Sequence, residues 1–134
     1  MLSLLGLAAL LGLVAVNWST LPDELPMHFG INGKPDRYGS RWQLLILPVV
    51  GIAIFVGMSL SAGTAEWLGG VAPEKPFDAI MLVWTKTVVM ALMCYCVWTI
   101  IRVARKQAEG MNIFVMFGMV GIMLLPLLVR ALGE

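Results

Sequence analysis

The chain has 134 residues, 60% of them hydrophobic and 13% charged, with a net charge of +1 and a mean hydropathy of +0.90. Soluble domains of this size carry roughly 25% charged residues, so the composition excludes an ordinary water-soluble globule and points to an integral membrane protein. The small net charge offers no electrostatic case for a nucleic-acid partner.

The first apolar stretch, residues 2–18, lies at the short end of what crosses a bilayer, where about 20 residues are needed. No cationic region precedes it, so it reads as a retained span rather than a cleaved signal peptide. Trp18 then serves as an interfacial anchor.

The run Thr20 to Arg41, TLPDELPMHFGINGKPDRYGSR, is polar, and it holds three of the seven prolines and the only histidine. Asn32-Gly33 predicts a two-residue type I′ hairpin turn, which needs positive φ at both positions. Met27 to Ile31 and Lys34 to Tyr38 are then the paired segments. By strand alternation Met27, Phe29 and Ile31 share one face and His28 takes the other. Pro35 is tolerated at an edge, and Pro22 and Pro26 keep LPDELP extended. The predicted unit is a small cap lying on the helix ends.

Within the cap, His28 has Asp23, Glu24 and Asp36 for company. A hydrogen bond from His28 to Asp23 or Asp36 that fixes the loop is the favoured reading. A metal held by His28, Asp23 and Asp36 is the weaker one, because none of these pairs has the helical spacing of a dependable zinc motif. No nucleophile stands beside a base, so neither catalysis nor a cofactor is expected. Lys34, Arg37 and Arg41 are placed to meet anionic lipid heads.

Residues 42–61 form the second predicted span. Ala53, Gly57 and Ser61 recur at helical spacing and predict a face that another helix approaches closely. Pro48 predicts a kink. The connection that follows contains Trp67, Gly69-Gly70, Pro73 and Pro76, which argue against a continuous helix, and Asp78 suits the start of the next helix.

The third span, residues 79–101, carries Lys86 at membrane depth. Such a charge is either functional or snorkels back toward Asp78 or Glu74. Cys94 and Cys96 project about 200° apart on a helix and cannot pair. Trp84, Tyr95 and Trp98 read as packing residues. Arg102, Arg105 and Lys106 complement the helix C-terminus. Gly110 suggests the helix stop and Asn112 the cap of the fourth span, residues 113–130, which contains Gly118, Gly121 and Pro126.

The expected fold is therefore an all-α integral membrane protein, a single membrane domain over residues 1–134. Its four transmembrane helices form a bundle, with a short β-hairpin-like extramembrane cap between helices 1 and 2. Lys34, Arg37, Arg41, Arg102, Arg105 and Lys106 outnumber Lys75 and Arg130, so the positive-inside rule puts the first and third loops in the cytoplasm.

Leu21-Pro22-Asp23, Pro26, His28-Phe29, Asn32-Gly33, Asp36 and Gly39, with Arg41 before the next span, resemble the membrane family called domain of unknown function (DUF) 1648. That family includes the SdpI-type multi-pass immunity proteins of bacteria. The resemblance implies a protein of the bacterial inner membrane with a shared extramembrane motif. The expected function is a non-enzymatic binding, immunity or signalling module acting through the polar loop. Its partners are the lipid bilayer and a peptide or membrane protein, and the small-residue face would serve a homo-oligomer. The alternative is a small oligomeric transporter or proton-linked carrier using Lys86 and His28.

Overall fold

The computed structural model describes residues 2–61 and 76–133; for residues 61 and 76–79 the description is of the backbone alone. Trp67, Gly69-Gly70, Pro73, Glu74 and Lys75 lie outside the described residues, as do the side chains of Ser61 and Asp78. In chain order the elements are α1 (Leu2–Asn17), β1 (Glu24–Phe29), β2 (Pro35–Ser40), α2 (Ile46–Ser61), α3 (Pro76–Ala104) and α4 (Ile113–Gly133). Short 3₁₀ turns, Trp18–Thr20 and Arg41–Leu45, join α1 and α2 to the hairpin. Four helical segments, Leu2–Thr20, Arg41–Leu60, Ile80–Ala104 and Ile113–Gly133, are long and apolar enough to cross a membrane.

α3 is the central pillar. It packs against α1 and α2, which also touch each other, and α4 lies along α3. The four-helix bundle is thus built of three mutually packed helices with a fourth at their flank, and no described residue of α4 is buried. The buried cluster sits at one end, where Leu10 and Val14 of α1, Leu44, and Val97, Ile100 and Ile101 of α3 meet Leu21 and Leu25 from the loop and hairpin.

Two kinds of force hold this together. Between helices in lipid there is little hydrophobic drive, so close packing of small residues must serve. A Cβ on Gly6 would stand 2.8 Å from Met90 Cβ, and one on Gly51 would stand 2.7 Å from Leu10 Cδ2. Within this single chain Ala53 and Gly57 of the predicted face are exposed, and a Cβ on Gly57 would meet nothing within 4 Å. Gly6 and Gly51 are the residues that admit a neighbouring helix. At the hairpin end the hydrophobic effect operates normally, and burying a leucine there stabilises by about 1.5–3 kcal/mol.

Backbone chemistry accounts for three local features. Pro48 is the third residue of α2 and follows the 3₁₀ turn, so its missing N–H falls in the first turn, where proline is tolerated. The described residues of α3 run Pro76–Ala104, and Asp78 falls near their start, as its position suggests. α3 ends at Ala104 rather than near Gly110. Lys106 takes φ 57°, its N–H bonds Val103 O at 3.0 Å, and Gln107 N–H bonds Arg102 O at 2.8 Å. This is the Schellman pattern with lysine where glycine is usual.

Asn112 caps α4 as its position suggests, accepting from Phe114 N at 3.0 Å and Val115 N at 3.3 Å. Tyr95 Oη accepts from Asn112 N at 3.1 Å and donates to Asn112 O at 3.2 Å, fixing that cap to α3.

Candidate functional site

The polar run folds as an antiparallel two-stranded sheet. Its turn is one residue longer than the sequence suggests. Gly33 N–H bonds Gly30 O at 2.9 Å and Gly30 N–H bonds Lys34 O at 2.8 Å, enclosing the three residues Ile31, Asn32 and Gly33. Gly33 alone among them has positive φ, at 79°. This is the three-residue loop closed by a left-handed glycine, not a type I′ turn. Asn32 contributes through its side chain, Oδ1 accepting from Lys34 N at 3.0 Å.

The shift of turn changes the faces. Leu25 and Pro26 are fully buried, Met27 and Phe29 pack against the core, and Ile31, now in the turn, is 89% exposed. Register runs Glu24 with Ser40, Leu25 with Gly39 and Pro26 with Tyr38, then becomes irregular as His28 faces Arg37. Gly39 leaves room for Met27, whose Cγ would lie 3.0 Å from a Cβ there.

Arg41 N–H donates to Asp23 O at 2.8 Å, just beyond the Glu24–Ser40 pair. Bonded and non-bonded pairs alternate along an antiparallel ladder, so Leu25–Gly39 is bonded and Pro26–Tyr38 is not. Pro26 therefore sits where its missing N–H costs nothing. By the same alternation the backbone N–H and C=O of Tyr38 point away from β1, to the outer edge of β2. Among the described residues no third strand covers that edge. A cleft of about 320 Å³ runs beside it, lined by Pro35 and Tyr38 on one side and Val103, Lys106, Gln107 and Glu109 on the other.

The hairpin tip is clasped to the α3–α4 loop. Met111 N–H donates to Gly33 O at 2.6 Å. A Cβ on Gly110 would strike the Gly33 carbonyl, and one on Gly33 would strike the Met111 carbonyl. The role assigned to Gly110 as a helix stop is thus replaced by close backbone approach. Arg105 Nη2 also donates to Thr20 Oγ1 across the same two loops. At the root of the hairpin, Trp18 and Trp42 meet edge to face at 5.1 Å and Arg41 lies 5.4 Å over Trp18.

The candidate chemical groups are dispersed. His28 Nδ1 and Asp36 Oδ1 are 2.6 Å apart, both side chains more than half exposed. Asp23 is elsewhere, with Oδ1 3.7 Å from Arg41 Nε and its side chain 96% exposed, a pair worth little to stability. No cluster of three or more His, Cys, Asp or Glu with metal-holding geometry occurs among the described residues. Lys86 turns to α2, where Nζ donates to Ser59 Oγ at 3.0 Å and lies 4.9 Å over Phe55. This hydroxyl and ring on the neighbouring helix are partners the sequence does not indicate, and the side chains of Asp78 and Glu74 lie outside the described residues. Cys94 Sγ donates to Gly6 O at 3.2 Å, an interhelical contact within the membrane segment.

Four bilayer-length apolar helices and a folded polar hairpin define a multi-pass membrane protein. Residues 5–52 match the family described as "Domain of unknown function (DUF1648)", a segment that contains every motif residue from Leu21 to Arg41. An uncharacterized protein of Archaeoglobus fulgidus is 49% identical over 49 residues, which is 37% of this chain and 27% of the archaeal one. The match thus spans little more than a quarter of that relative. No solved structure matches the chain.

Proposed function

We propose that this protein is a non-enzymatic membrane module that captures an extended segment of a peptide or a membrane protein along the outer edge of β2. The observation that carries this reading is the outward backbone of Tyr38 beside the cleft to the α3–α4 loop. An exposed strand edge is a template for strand addition, in which main-chain hydrogen bonds give affinity and side-chain pockets give selectivity. Leu25 and the Gly33–Met111 bond anchor the hairpin to the helices, so little ordering cost would fall on binding.

The SdpI-type resemblance adds an immunity or signalling role in a bacterial cytoplasmic membrane, the captured segment being a membrane-active toxin peptide. Charge distribution adds a cytoplasmic position for the first and third loops. A photo-cross-linking residue at Tyr38, in cells that make such a peptide in their cytoplasm, tests the reading. A discrete peptide adduct and protection of the cells are expected. Adducts no different from those of a probe in the lipid-facing part of α4 would refute it.

A carrier reading rests on Lys86, held at membrane depth between α2 and α3 by Ser59 and Phe55. It requires an oligomer to enclose a pathway, and proton-coupled flux that depends on Lys86.

A further inference from the structure

A second recess lies between α3, the α3–α4 loop and the start of α4, and no residue of β2 lines it. It encloses about 250 Å³ and is lined by Tyr95, Trp98, Thr99, Arg102, Gly110 and Asn112. Its only charged wall is Arg102. That guanidinium sits 4.6 Å over the Trp98 ring and spends one bond, Nη2 to Gln107 O at 3.3 Å. Among the described residues it has no carboxylate within ion-pair distance, so most of a fork suited to phosphate oxygens is uncommitted. The back wall is rigid, because the Tyr95 hydroxyl is bonded twice to the Asn112 backbone.

Position decides what anion would come. Arg102 is in the last turn of an apolar span that ends at Ala104, and Trp98 is one turn deeper and 44% exposed. That places cation and aromatic at the level of headgroup and glycerol. Below the recess, α4 buries none of its described residues, and Phe114 and Val115 are exposed at its start. Acyl chains hung from a phosphate at Arg102 would therefore run along apolar surface. The volume suits a phosphate with its glycerol rather than a drug-sized molecule, whose pockets are roughly 300–1,000 Å³.

We propose that the recess between α3 and the start of α4 is a specific site for an anionic glycerophospholipid, with Arg102 binding the phosphate, Trp98 supporting the glycerol and the α3–α4 surface receiving the acyl chains. Arg105 and Lys106, immediately beyond, raise the local anion concentration. This site is separate from the β2 edge and stands whether or not a peptide binds there.

The test uses the full chain in detergent micelles doped with phosphatidylglycerol or phosphatidylcholine, read by native mass spectrometry and thermal unfolding. One retained phosphatidylglycerol per chain is expected, held at least fivefold more than phosphatidylcholine. Arg102→Gln should abolish that preference, Arg102→Lys should keep part of it, and Arg130→Gln, at the other end of α4, should leave it intact. Circular dichroism identifies an unfolded variant, in which case the Arg102→Lys measurement and the lipid preference of the native chain decide. Equal retention of both lipids, equal loss in Arg130→Gln, or an equal stabilisation by inorganic phosphate would overturn the proposal.

Discussion

Trp84 Nε1 donates to Ile122 O at 3.0 Å, joining α3 to α4. Ile122 is four residues before Pro126, which has no N–H and so deprives that carbonyl of its helical donor. In lipid an unpaired carbonyl is costly, and Trp84 supplies the missing bond from the neighbouring helix. Pro126 therefore does not merely interrupt α4; it creates the acceptor by which α4 is tied to α3.

Trp84→Phe should then destabilise the protein by about 1–2 kcal/mol. In Pro126→Ala the helix satisfies its own carbonyl, and the same tryptophan change should cost much less. A double-mutant cycle of thermal unfolding in detergent measures the difference. Equal losses in both backgrounds would mean the indole acts by packing alone.

Gly110→Ala should loosen the clasp between hairpin and α3–α4 loop, since its Cβ would strike Gly33 O. Forced contacts of this kind cost roughly 1–3 kcal/mol. Gly12→Ala, where a Cβ meets nothing within 4 Å, is the control. Hydrogen exchange at Met111, whose N–H is bonded to Gly33 O, should accelerate in Gly110→Ala and remain slow in Gly12→Ala.

Lys106→Gly is expected to stabilise. A left-handed lysine carries a backbone penalty of about 1 kcal/mol that glycine lacks, and the two carbonyl bonds of the Schellman turn do not involve its side chain. The unfolding midpoint should rise, with Lys106→Asn in between.

Lys86→Met removes the bond to Ser59 and the cation over Phe55 while preserving length. Liposomes containing this variant distinguish the carrier reading from the module reading. If the protein is a peptide-capturing module, the variant inserts and captures peptide as the native chain does. A proton flux present in the native protein and absent in Lys86→Met would favour the carrier.

The parts of the fold written locally were legible in the sequence. Apolar runs gave four spans, Asn112 gave a cap, and the polar run gave a hairpin because its turn residues are neighbours. The turn itself was misassigned by one residue, since Gly33 can supply positive φ to either loop type and Asn32 need not. What could not be read were pairings between distant residues: Gly33 with Gly110, Trp84 with the carbonyl freed by Pro126, and Gly6 with Met90. A stripe of small residues shows that close approach is allowed, not that a helix arrives, so Ala53 and Gly57 looked as eligible as Gly51. His28 and Asp36 were within reach by sequence, whereas the outward backbone of Tyr38 appeared only with the ladder register.

Tyr38→Pro tests that edge most directly. The substitution deletes an N–H that the β1–β2 ladder does not use, and it should leave Leu25 buried and the hairpin folded. With a photo-cross-linker placed at Arg37, peptide capture in Tyr38→Pro is predicted to fall at least tenfold below the native chain, while Tyr38→Phe retains it. Capture by Tyr38→Pro at the native level, with the hairpin shown intact by its amide exchange, would contradict strand addition at β2.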